Sequence, residues 1–184
     1  MKYLNQYWLS LILFLPFLVG CATGSEGYSS GDRRTTGMFI EDEAIELKSG
    51  RRIYQQFGNN VHINVTSYNR MVLLTGEAPT AAIKADIEKL VMSVDNVRRI
   101  FNEIAVAGNT SLASRSNDTL LTSKVKARFI AERKFQINHV KIVTENEVIY
   151  LLGVVTRQEA ESAAQIASST AGVRKVVKVF EYLN

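Results

Sequence analysis

The pattern of apolar and polar positions divides the chain into three stretches. Residues 8–19 read WLSLILFLPFLV, an almost unbroken apolar run. It is about a dozen residues long, where a membrane-spanning helix needs about 20. Residues 22–37, ATGSEGYSSGDRRTTG, are rich in Gly, Ser and Thr and lack periodicity. That composition predicts a flexible tether, which with Cys21 fills residues 21–40 up to the first patterned stretch. From residue 41 to the end the chain alternates between helical and strand periodicity.

The patterned part states one plan twice. INVTSYNRMVLLTGEAPT (63–80) matches VKIVTENEVIYLLGVVTR (140–157) at a constant offset of 77. Asn69 pairs with Asn146, Leu74 with Leu151, Gly76 with Gly153, and His62 with His139. One copy then drops a residue, so that Val97 pairs with Val173. Two copies imply two related modules rather than a solenoid.

Residues 41–57 and 118–134 read as helices, with Asn117 or Asp118 capping the second. Val61, Ile63 and Val65 alternate with polar neighbours, as a half-buried strand does. Asn69-Arg70 and Glu145-Asn146 mark tight turns. The stretches 71–75 and 148–155 are more continuously apolar and read as central strands. Residues 80–94 and 157–171 are alanine-rich helices, and 97–106 and 173–183 are final strands. The order α-β-β-α-β predicts an α+β fold. Each module is a three-stranded mixed sheet with two helices on one face. A unit of 65–70 residues has a marginal core, which favours packing of one module on the other.

Composition narrows the chemistry. Cys21 is the one cysteine, so no intramolecular disulfide can form, and two histidines offer little for a zinc site. No nucleophile elbow, phosphate-binding loop or dinucleotide motif is present, which points away from an enzyme. Gly76 and Gly153 read as backbone geometry at strand ends. His62 and His139 read as solvent-exposed strand residues. Asp42, Glu43 and Glu46 read as acids favoured by a helix N-terminus. No cofactor is expected.

The apolar run ends in LVGC, residues 18–21. A weakly basic start, a short apolar core and small residues after it describe a signal peptide over residues 1–20. LVGC resembles the bacterial lipobox. That resemblance implies that Cys21 is lipidated, with palmitate among its chains, and becomes the first mature residue. Ala22, rather than Asp, implies export to the outer membrane. Each buried methylene contributes about 0.8 kcal/mol, so several acyl chains anchor stably.

Two α-β-β-α-β modules, a Gly after each second strand, and the segments INVT (63–66), VDN (94–96), NEI (102–104), NDT (117–119) and TEN (144–146) resemble the BON domain family. The resemblance covers the mature chain as domains at 41–107 and 117–184, joined by a linker at 108–116. It implies a non-enzymatic periplasmic lipoprotein that binds phospholipid and supports envelope integrity.

Charge distinguishes the modules. Residues 41–107 hold 8 Lys or Arg against 9 Asp or Glu, and residues 117–184 hold 10 against 7. The second is the better candidate for an anionic partner. Within NDTLLTSKVKARF (117–129), Leu121, Val125 and Phe129 form the core stripe. Leu120, Lys124, Ala127, Arg128 and Ala131 lie beside it. The pattern leaves Leu120 open: a packing residue against the first module, or an apolar wedge between cations that suits a lipid interface. Lys48, Arg51 and Arg52 give the first module a weaker basic face. The resemblance favours anionic phospholipid such as phosphatidylglycerol, bound at Leu120, Lys124, Ala127, Arg128 and Ala131. Relatives carry an aromatic residue at the Leu120 position. A recruited envelope protein is the alternative partner, and export excludes nucleic acid.

Overall fold

The computed structural model of the protein describes residues 31–107 and 112–183, the side chains of 112–115 excepted. The apolar run, Cys21 and most of the tether lie outside the described residues.

The first module comprises α1 (Thr36–Phe57), β1 (His62–Tyr68), β2 (Met71–Ala78), α2 (Ala81–Met92), β3 (Arg99–Asn102) and the short β4 (Ala105–Val106). The second comprises α3 (Leu112–Glu132), β5 (Lys141–Glu145), β6 (Val148–Val155), α4 (Arg157–Ser168) and β7 (Lys175–Tyr182). β1 runs antiparallel to β2, and β3 and then β4 run parallel to it. The second sheet repeats this as β5-β6-β7. The architecture is α+β with two mixed sheets, as the pattern predicts.

Both faces of each central strand are covered, which explains their continuous apolar character. On one face, Val72, Leu74 and Ala78 of β2 pack with Ile45, Ile53, Ile87 and Val91 of the helices. Ile149, Leu151 and Val155 of β6 do the same with Leu121, Val125, Phe129 and Ile166. On the other face the two modules meet. Tyr68 and Leu73 join Val148, Tyr150, Leu152 and Val179 in a third core. The result is a four-layer stack with helices outermost. Polar contacts rim the seam: Asn64 to Glu145 at 3.0 Å, Asn146 to Glu77 at 3.1 Å, Asn69 to Glu181 at 2.7 Å, and Arg98 to Glu181.

The tether expected through residue 40 stops sooner. Arg33 grips Glu159 of the second module with two hydrogen bonds, 2.7 and 2.9 Å, and donates to the Val154 carbonyl. Arg34 pairs with Asp42 of the first at 2.9 Å and lies over the Tyr68 ring. Thr35 then caps α1, its hydroxyl accepting from the Met38 amide. This strap ties both modules. Arg33 finds a carboxylate 126 positions away, which a Gly- and Ser-rich composition cannot reveal.

Several local readings need correction. α3 begins at Leu112, inside the expected linker, so neither Asn117 nor Asp118 caps it. Asp118 is buried, and its carboxylate accepts the Asn146 and Glu147 amides at 2.8 and 2.9 Å. Asp42 does the same for Asn69 and Arg70, both at 2.8 Å, and also accepts from the Ser67 hydroxyl. In both turns the paired residues have positive φ: 52° and 64° in the first, 50° and 63° in the second. The second turn therefore sits at Asn146-Glu147, one residue beyond the predicted pair. A two-residue turn with both φ positive matches the twist of the hairpin. Each aspartate stitches helix to hairpin, and the helix dipole does not explain it.

The paired glycines lie inside β2 and β6, not after them. A Cβ at Gly76 would stand 2.0 Å from the His62 carbonyl oxygen, and one at Gly153 would stand 2.2 Å from that of His139. Only glycine permits this approach. His139, expected exposed, is buried beside α4 with Nδ1 2.9 Å from Glu159 Oε1. His62 is half-buried.

Candidate functional site

α3 packs its Leu121-Val125-Phe129 stripe into the second core, as its spacing predicts. That rotation turns Leu120 outward, 62% exposed. Leu120 is therefore a surface residue and does not pack on the first module. Lys124, Ala127 and Ala131 are exposed on the same outer face.

The sequence reading missed Ile130, which is 60% exposed on that face. At 100° per residue it lies beside Ala127, away from the core stripe. Lys126 and Arg133 are exposed on the flank beyond Ile130, and Lys124 borders the opposite flank. No ion pair links Lys124, Lys126 or Arg133 to a carboxylate among the described residues. The surface is thus an apolar strip of Leu120, Ala127, Ile130 and Ala131 between two cationic borders. A count of apolar residues off the core stripe would have found Ile130.

Arg128 does not belong to this surface in the way expected. Its guanidinium turns back to the C-terminus of α4. There it donates to the Ile166 carbonyl at 2.9 Å and to the Ser169 and Thr170 hydroxyls, and it pairs with Glu132 at 2.7 Å. Unpaired carbonyls at a helix end attract a cation. Arg52 of the first module does the same for α2, donating to the carbonyl and hydroxyl of Ser93. These arginines lock the two helices of each module together.

A second recess, about 300 Å³, opens at the seam between His62, Asn64, Asp118, Thr119, Thr122, Thr144 and Glu145. Burial holds the Glu145 carboxyl above its ordinary range. The Asn64 hydrogen bond opposes this, and the charge of Glu77 adds to it. The recess carboxylates already serve the fold: Asp118 accepts turn amides and Glu145 accepts Asn64. Among the described residues no cluster of three or more His, Cys, Asp or Glu could hold a metal. No helix there is long and apolar enough to cross a membrane.

Residues 42–108 and 117–184 each match the BON domain family. The chain is 36% identical over 176 residues to the outer membrane lipoprotein DolP of Haemophilus influenzae, covering 91% of each chain. It is 31% identical to a 21 kDa hemolysin of Actinobacillus pleuropneumoniae, over 83% of this chain and 79% of that one. It is 28% identical to the osmotically-inducible protein Y of Escherichia coli, over 76% and 72%.

Proposed function

The chain belongs to the BON domain family, and from that premise we propose that it is an outer-membrane lipoprotein which grips anionic phospholipid with α3. Its similarity to a relative named as an outer membrane lipoprotein supports the location. Lipidation of Cys21 and a role in envelope integrity belong to the same reading, with no catalysis.

One observation carries the proposal: the exposed apolar strip of α3 framed by Lys124 on one side and Lys126 with Arg133 on the other. Leu120 and Ile130 enter the acyl boundary, and the cations meet phosphates. Ala127 and Ala131 are small enough to let headgroups come close to the helix. Each cation near an anionic surface contributes about 1 kcal/mol. Arg128 acts as a positioning residue that fixes the roll of α3. Such a contact is weak alone. Acyl chains on Cys21 would supply the effective concentration it needs.

The test is NMR titration of residues 22–184 with phosphatidylglycerol micelles, and with zwitterionic micelles as reference. Shifts should cluster on residues 119–134 with the anionic lipid. Leu120→Glu, Ile130→Glu and Lys124→Glu should each weaken them while the fold persists. Rising salt should weaken binding too, because the cations are exposed. No perturbation of α3 by anionic lipid would overturn the proposal.

A further inference from the structure

The outer face of α1 carries its own apolar ridge. Ile40, Leu47 and Tyr54 are 63%, 65% and 66% exposed. They recur every seven residues and so lie nearly in line, over about 21 Å of helix. Exposed large apolar residues aligned in this way mark an interaction face. α1 lies in the outer layer opposite α3, so this ridge is not part of the lipid surface proposed above.

We propose that this ridge binds α1 of a second copy of the chain, antiparallel, about a two-fold axis at Leu47. The register supports that occupant. A dyad at Leu47 sets each Leu47 on its mate and each Ile40 on the partner's Tyr54. It also sets Glu43 level with the partner's Arg51. Glu43 and Arg51 are exposed on the borders of the ridge and form no hydrogen bond or ion pair among the described residues. Eight residues separate them, about 12 Å along the axis, so they cannot pair within one helix. Under the dyad both find partners, twice over. Ala44 and Gly50, also brought level, are small enough to let the axes approach to about 8–10 Å. An isologous contact of this kind is self-complementary and closes as a dimer.

The same residues argue against lipid here. Glu43 borders the ridge with a negative charge that an anionic surface repels. The first module also lacks the positive excess of the second. The equivalent face of α3 cannot form the seam: with the helices aligned on their turn-holding residues Asp42 and Asp118, Ser116 and Ser123 stand where α1 has Ile40 and Leu47. One helix pair buries less than the 1,200 Å² or so of a standard interface, so the association is weak.

Sedimentation equilibrium of the full chain in a nonionic detergent, over a wide concentration range, tests this. The wild type should show a reversible monomer–dimer equilibrium. Glu43→Arg alone, or Arg51→Glu alone, reverses two symmetric contacts and should weaken dimerisation about tenfold. The double variant restores opposite charges and should recover the wild-type constant to within about threefold. Both positions are exposed, and matching thermal melts verify the fold. The proposal is overturned if the wild type stays monomeric throughout, or if the double variant associates no better than the singles. It is also overturned if Leu47→Glu leaves sedimentation unchanged but reduces binding to phosphatidylglycerol vesicles. That result would make the ridge a lipid contact.

Discussion

The two modules share their internal devices and differ on their outer helices. Asp42 and Asp118 hold equivalent hairpin turns. Gly76 and Gly153 let equivalent strands approach a histidine carbonyl. Arg52 and Arg128 clamp the ends of equivalent helices. These residues face inward, where geometry permits few substitutes. The outward positions of the first helices have diverged. Ile40 and Leu47 correspond to Ser116 and Ser123, Ala44 to Leu120, and Arg51 to Ala127. Tyr54 and Ile130 correspond and are both exposed. One scaffold thus presents an apolar ridge bordered by opposite charges, and elsewhere an apolar strip bordered by cations. Residues that repeat because the fold needs them are poor guides to function, and those that differ on the same frame are better ones.

The strongest way to break the comparison is at the glycines. Gly76→Ala and Gly153→Ala should each destabilise the chain by about 3 kcal/mol, through overlap with backbone that cannot move aside. Gly76 also has φ of 108°, a region that alanine avoids, so its substitution should cost more. Denaturant unfolding checks the order.

Next come the turn-holding aspartates. Asp118→Ala removes two charge-assisted hydrogen bonds and should cost about 2 kcal/mol. Asp42→Ala also breaks the contacts with Ser67 and Arg34, and should cost about 1 kcal/mol more. Equal losses at the two sites would mean that the strap adds nothing to the first module.

The seam and the strap respond to pH with opposite signs. Glu159 is partly buried, which works against its charge. Arg33, the Thr156 amide and His139 nevertheless hold its pKa down to about 2. Its stabilising effect is full above the ordinary glutamate value of about 4.5 and is lost as pH falls towards 2. Glu145 is shifted upwards, chiefly by burial, so ionisation of its carboxyl weighs against the folded seam as pH rises. Glu145→Gln should therefore raise the melting temperature at neutral pH and change it little near pH 4. Arg33→Ala should lower it at neutral pH and matter less in strong acid.

The smallest effects on stability should come from the surfaces that differ most. Leu120→Glu and Leu47→Glu should each change unfolding by no more than about 0.5 kcal/mol. They should separate in binding: the first reduces affinity for phosphatidylglycerol vesicles and the second leaves it unchanged. Co-sedimentation with vesicles measures both.

The sequence alone determined the two modules, their α-β-β-α-β order, the central strands and the core stripe of α3. All of these follow from local periodicity, which a short window displays, and from a repeat that comparison of the two halves of the chain displays. It also marked Asn69-Arg70 as a turn and Gly76 and Gly153 as backbone geometry, but it read Asp42 as an acid at a helix N-terminus and Asp118 as a cap. Tertiary structure supplied their roles: a carboxylate on a helix meeting the amides of a hairpin, and a glycine beneath a carbonyl. Such contacts join residues more than a dozen positions apart. Only the fold decided that Leu120 faces outward, because both readings fit the helical pattern equally. Only the fold turned Arg128 inward, since a long side chain goes to whichever acceptors packing brings near, and the end of α4 is 38 residues away in sequence. The grip of Arg33 belongs with these, because Glu159 comes within its reach only after the second module has packed on the first.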